Sequence, residues 1–200
     1  RVGAEMLNRA QRGAKLWVSD PTWGNHIPLL GSAGLKIEKY PYYDADTHGI
    51  RFEQMLDTLK QATNKDIVLL HGCCHNPTGV DLSNEQWDSV VELAQQQGFL
   101  PFIDTAYHGL GKGLEEDVYG HRLMAESVDE MLVAYSCSKN FGLYRDRIGA
   151  IISLGADEQR AEICSSNITN IARQIYSMPP AHGGAIVKII LQNAELYENW

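Results

Sequence analysis

The 200-residue sequence predicts an α/β domain, a mostly parallel central sheet flanked by helices. Three observations predict it. Short apolar runs alternate with longer segments of helical period. Several of those runs are uniformly apolar, as strands covered on both faces are. Finally, 44% of the chain is hydrophobic and 21% charged, which suits one ordinary globular core.

Taken in order, the apolar runs predict strands at Leu16 to Val18, Leu35 to Tyr40, Ile67 to Leu70, Leu100 to Ile103, Met131 to Ala134 and Ile148 to Leu154. Between the second and third, Phe52, Met55, Leu56 and Leu59 recur at helical spacing. Between the third and fourth, Ser83 and Gln86 have capping-box spacing, Trp87, Val90, Val91 and Ala94 share a face, and Gly98 closes the helix. A long helix is expected from Asp157 to Tyr176, then a break at Pro179 and Pro180, then a final helix from Gly183 to Trp200. No linker, repeat or low-complexity segment divides the chain, so one domain is expected.

Composition narrows the function. With 17 Lys plus Arg against 25 Asp plus Glu, the net charge of −8 argues against a nucleic-acid or acidic-membrane surface. No apolar run approaches the roughly 18 residues of a membrane span, and Arg1 to Leu16 lacks the apolar block of a signal peptide. Cys73, Cys74, Cys137 and Cys164 do not form a spaced disulfide framework. The expectation is a cytoplasmic protein with free thiols. The start at Arg1 and the helical pattern running out to Trp200 lead to the further expectation that both ends are cuts in a longer chain.

In open parallel sheets ligands sit beyond the carboxyl ends of the strands. The segments to inspect are Pro21 to His26, His71 to Gly79, Asp104 to Gly113 and Ser136 to Arg147. Lys139 follows a strand directly. A lysine buried there has its ammonium form disfavoured, and the freed amine can condense with an aldehyde and later shuttle a proton; a loop lysine reaching solvent is the other reading. Ser136, Ser138 and Arg147 around it suit a phosphate, although Arg147 could equally pair with Asp146 or Glu158. Asp104, ending a strand three residues before Tyr107, suits a protonated ring nitrogen, as in a pyridoxal-phosphate site, or else a helix N-cap. In His71-Gly72-Cys73-Cys74-His75 the adjacent cysteines argue against a zinc or other metal site. Asn76-Pro77-Thr78-Gly79 reads as a rigid turn presenting the Asn76 amide. Gly109, Gly111 and Gly113 around Lys112 match neither phosphate-loop spacing and are expected to form a flexible loop.

The ordered set Trp23, Asn76-Pro77-Thr78-Gly79, Asp104-x-x-Tyr107, Ser136-x-Ser138-Lys139 and Arg147 resembles the class I aminotransferases of the aspartate and aromatic amino acid type, pyridoxal-phosphate enzymes of fold type I. The likeness extends over essentially the whole chain, including Ser19-Asp20-Pro21-Thr22-Trp23 and Pro179-Pro180-Ala181-His182-Gly183. It implies that Lys139 carries the cofactor and moves the substrate proton, and that Asp104 bonds the ring nitrogen. Tyr107 and Asn76 would bond the phenolic oxygen, with Asn76 also meeting the substrate carboxylate. Ser136 and Arg147 would bind the phosphate, Trp23 would pack on the ring and substrate, and His26 would orient Asp104. Arg173 would reach the neighbouring subunit's site of a homodimer to bind a dicarboxylic side chain.

The resemblance further implies that residues 1–200 are part of the large cofactor-binding domain of a roughly twofold longer enzyme. The glycine-rich phosphate turn would then lie upstream of Arg1, and the small C-terminal domain beyond Trp200. The implied reaction is ping-pong transamination of aspartate with 2-oxoglutarate. Alternatives are an aromatic aminotransferase, a lyase or decarboxylase on the same fold, and a noncatalytic truncated module.

Overall fold

The computed structural model describes residues 1–200. The chain begins with α1 (Val2–Ala10), β1 (Lys15–Asp20), α2 (His26–Gly31) and β2 (Lys36–Pro41). A small antiparallel pair follows, β3 (Tyr43–Asp44) and β4 (Gly49–Ile50), then α3 (Phe52–Leu59), β5 (Ile67–His71), α4 (Asn84–Gln97) and β6 (Leu100–Thr105). Beyond these come α5 (Tyr119–Ser127), β7 (Met131–Ser136), β8 (Gly149–Leu154), α6 (Glu158–Tyr176), α7 (Ala181–Gln192) and α8 (Ala194–Asn199).

Six strands form one sheet in the order β2-β1-β5-β6-β7-β8. The first five run parallel, and β8 pairs antiparallel with β7, Ser136 opposite Gly149. The reason lies in the connection: residues 137–148 contain no helix to cross the sheet, so the chain turns straight back. The strand order also reverses between β1 and β5, which opens a crevice at their carboxyl ends.

The uniformly apolar strands are explained by two cores, one on each face. Successive residues of β5 alternate between them: Val68 and Leu70 pack with Met55, Trp87, Val90 and Ile103, whereas Ile67 and Leu69 pack with Leu7, Leu16, Leu30 and Phe102. No helix is long and apolar enough to cross a membrane.

The expected α4 carries its reciprocal cap. The Gln86 N–H donates to Ser83 Oγ at 3.2 Å, the Ser83 N–H donates to Gln86 Oε1 at 2.9 Å, and Gly98 ends the helix at φ 71°. Helices α1, α2 and α5 and the β3–β4 pair were not among the expected elements. Each is short, and α1 gains its order by burying Gly3, Ala4 and Leu7 against the sheet. The final helix was expected to be continuous from Gly183 to Trp200; it is interrupted at Asn193. There the backbone turns extended and the side-chain Oδ1 accepts the Leu196 N–H at 3.0 Å, so a new helix starts.

Replacing Ser83 by Ala is expected to lower unfolding free energy by about 1 kcal/mol, read as a lower urea midpoint at unchanged slope.

Candidate active site

The carboxyl ends of β1, β5, β6 and β7 open on a cleft of about 360 Å³. Trp23, Asn76, Asp104, Tyr107, Ser136, Lys139 and Arg147 all line it, beside His71, Cys73, Ser138 and Tyr144. These side chains come from four separate loops, so the strand-order reversal and the return at β8 are what gather them.

Asp104 stands at the end of β6 with its side chain 25% exposed. The buried His26 donates Nε2–H to Asp104 Oδ2 at 3.1 Å. His26 Nδ1 is thereby an acceptor, met by the Thr22 hydroxyl at 2.8 Å. That hydroxyl has one proton, so it accepts from His71 Nε2 at 3.2 Å, and His71 Nδ1 accepts the Asn76 backbone N–H at 3.3 Å. The donors and acceptors assign the tautomers and give a chain of one sense, from Asn76 to Asp104. Burial, then the neighbouring His75 and His26, pushes His71 down to about 3. At neutral pH it is therefore the uncharged ring that this chain requires. Asp104 is no helix cap; its Oδ1 makes no hydrogen bond and is left for the cleft.

Around Asn76 the backbone turn is held by Asp81, whose carboxylate accepts the N–H groups of Cys74 and His75, each at 2.7 Å. His75 is locked between the Ser19 hydroxyl at 2.9 Å and the Thr78 hydroxyl at 2.8 Å and stacks on Tyr42. Its burial pushes it down to about 4. Gly72 is required where the turn begins, since a Cβ there would lie 2.2 Å from the His121 ring. The rigid turn expected from Asn-Pro-Thr-Gly is thus observed, with the Asn76 side chain on the cleft wall.

Of the two readings of Lys139, the structure shows the loop lysine reaching solvent. It is exposed rather than buried, and it has no carboxylate partner. Its Nζ lies 4.6 Å from the centre of the Tyr144 ring and 5.9 Å from that of Tyr107. The surface ion pair considered for Arg147 is also absent: its Nη1 donates to the Tyr144 carbonyl at 2.8 Å, and its guanidinium lies 5.8 Å from the same ring. Arg147 holds φ 55°, a left-handed backbone uncommon for a side-chain-bearing residue. Beside it, the Ser136 hydroxyl donates to Ser138 Oγ at 3.0 Å.

The loop of Gly109, Gly111 and Gly113 is not loose, as expected, but tied. Asp117 accepts the N–H groups of Gly109, Gly111 and Lys112 at 2.9, 3.0 and 2.7 Å. Burial raises this carboxyl, yet the backbone N–H groups outweigh it and hold it below the usual range. Those amides are accordingly unavailable to a phosphate. Arg173 lies exposed in the last turn of α6 and does not line the cleft. Sequence reasoning missed the extension of the His26 contact through Thr22 and His71, and the place of Tyr144 between two cations. A hydroxyl four residues before His26 was the one available signal for the former.

Residues 1–200 match the family model for aminotransferase class I and II, and the chain belongs to that family. It is 45% identical over 200 residues to an aromatic-amino-acid aminotransferase of Paracoccus denitrificans and 44% identical to an aspartate aminotransferase of Haemophilus influenzae. All of this chain is covered in both, against 51% and 50% of the relatives. The solved aromatic-amino-acid aminotransferase of Burkholderia pseudomallei, covalently bound to pyridoxal phosphate, is similar at TM-score 0.97 and 42% identity over 100% of this chain and 50% of that one. The chain spans about half the length of the relatives it matches.

The donor set fits the family's cofactor. A cationic ring nitrogen needs a fixed carboxylate, and Asp104 offers a free oxygen while His26 holds the other. A phosphate needs hydroxyls and an unpaired guanidinium, as Ser136, Ser138 and Arg147 provide. An aldehyde needs an amine without an ionic partner, and Lys139 is one.

Because His71 is held down to about 3 in the fold and titrates near 6.5 when unfolded, its proton binds preferentially to the unfolded chain between those values. This contribution to stability is complete above about pH 6.5 and is lost as pH falls toward 3. Wild-type protein is expected to lose about 2 kcal/mol more than His71→Gln between pH 7 and pH 5, measured by urea unfolding at both pH values.

Proposed function

We propose that the protein containing these residues transaminates L-aspartate, with 2-oxoglutarate as the amino-group acceptor, using pyridoxal phosphate. The observation that carries this reading is the single cleft collecting Lys139, Asp104, Tyr107, Asn76, Ser136, Arg147 and Trp23. Residues 1–200 are read as part of the large cofactor-binding domain, and the working protein as a homodimer.

When bound, the cofactor supplies a reactive aldehyde and a protonated ring that absorbs electron density from the substrate Cα. The rest is done by side chains. Arg147 and Ser136 bind the phosphate and set the register of the ring. Asp104 holds the proton on the ring nitrogen, and His26 keeps its carboxylate from turning away. Tyr107 and Asn76 bond the phenolic oxygen, Asn76 also receiving the substrate carboxylate. Trp23 covers the ring and excludes water. Lys139 would hold the cofactor through its amine, and with that Nζ free it would take the proton from the substrate Cα and deliver it to the carbon on the far side of the substrate nitrogen. The same groups act in the opposite sense on a keto acid, so ping-pong kinetics follow.

The preference for aspartate rests on Arg173. Its exposure outside its own cleft supports the reading that it serves a second copy, where its planar fork would pair with a side-chain carboxylate. Aromatic transamination is the second reading, favoured by the aromatic-amino-acid aminotransferase relative at 45% identity.

In the whole protein, Lys139→Ala is expected to cut kcat by about 10⁴-fold or more while leaving cofactor binding measurable; near-normal turnover would defeat the reading. Arg173→Ala is expected to lower kcat/KM for aspartate by about 10- to 100-fold and that for phenylalanine much less. An equal loss on both substrates would remove the dicarboxylate assignment.

A further inference from the structure

Asn140, next to Lys139, is held from two sides. On one side its Nδ2 donates to the Tyr135 hydroxyl at 2.8 Å and to the His108 carbonyl at 3.2 Å. The Tyr135 hydroxyl in turn donates to His108 Nδ1 at 2.9 Å, and that ring is fixed because its Nε2–H donates to the Leu114 carbonyl at 2.8 Å. On the other side Trp200, which follows α8, donates its indole N–H to the Asn140 carbonyl at 2.7 Å. The Trp200 ring also lies flat on Phe141, with centroids 4.4 Å apart and planes 11° from parallel. Lys139 makes no ion pair, and its own carbonyl accepts the Gly142 N–H at 3.1 Å, closing the turn that holds Asn140 and Phe141.

We propose that Trp200 is a positioning residue for Lys139. The inference rests on the reading of Lys139 as the cofactor lysine. The Asn140 carbonyl belongs to the peptide plane joining Asn140 to Phe141, the next after the one that joins Lys139 to Asn140. An indole bonded to that carbonyl and stacked on the Phe141 ring stops this plane from rotating and, through Asn140, restrains the adjoining plane that holds the Lys139 Cα. Because an amine must meet its reaction partner at close range and fixed angle, small displacements of that Cα are felt as rate. Trp200 also ties the end of α8 to the reacting loop, so α8 takes part in placing the lysine.

The test uses the whole protein loaded with pyridoxal phosphate. Trp200→Phe removes the indole N–H and keeps an aromatic ring over Phe141, whereas Trp200→Leu removes both. Two quantities are read: the rate at which added amino acid displaces Lys139 from the cofactor, followed by stopped-flow absorbance, and the pH midpoint of the bound cofactor's absorption. The Phe variant is expected to react about fivefold more slowly, the ordinary worth of one hydrogen bond, and the Leu variant more slowly still. Both should show a displaced pH midpoint, and the Phe variant an unchanged melting temperature. In unaltered protein the Trp200 indole ¹⁵N–¹H resonance should move when borohydride fixes the cofactor to Lys139. Wild-type rates and midpoints in the variants, or an unmoved indole resonance, would overturn the proposal. If unaltered protein forms no borohydride-stable link at Lys139, the cofactor reading itself fails; if the link forms and Trp200 proves indifferent, only the positioning role does.

Discussion

Everything at this site depends on one constraint of the sheet: five strands run the same way, so their carboxyl ends share an edge, and the order reverses between β1 and β5. Side chains from four loops, separated by up to 124 residues between Trp23 and Arg147, can then face one cleft. The antiparallel return of β8 completes the arrangement. With no helix between β7 and β8, the connection stays over the sheet end and delivers Ser136, Lys139 and Arg147 together.

The imidazoles beneath the cleft show how a carboxylate is fixed without a second charge. Asp104 receives one N–H from His26, and each further group in the line is a neutral donor and acceptor. Reversing one tautomer would set two donors or two acceptors face to face, so the orientation of Asp104 is specified as far back as the backbone of Asn76. The packing of His71 against His75, centroids 4.1 Å apart and planes tilted by 34°, and the stacking of His75 on Tyr42 then hold the rings where the hydrogen bonds need them.

Much of this was legible in the sequence, for local reasons. The α4 cap, the apolar strands and the turn at Asn76 are written in residues close together, and the positions after strands indicated where polar residues would gather. What was not legible depends on distant neighbours. From its place after a strand Lys139 could be buried or reach solvent, and only the path of the turn carries it outward over Tyr144. The partner of Arg147 was sought among nearby acids and proved to be a carbonyl. The glycine-rich loop read as loose because nothing in its own residues showed that Asp117, on a neighbouring helical turn, takes up its amides. The break at Asn193 was hidden inside a periodic apolar pattern that continued on both sides of it.

One edge of the sheet has a practical consequence. Strand β8, Gly-Ala-Ile-Ile-Ser-Leu, pairs with β7 on one side only, and along its length it has neither a charged residue nor a proline. Ile152 is 53% exposed and Leu154 is 36% exposed. Such an edge is a template for strand addition. Handled as an isolated segment, residues 1–200 would therefore be prone to self-association through β8, and a lysine or proline at an outward position of that strand is the change that would keep the segment dispersed.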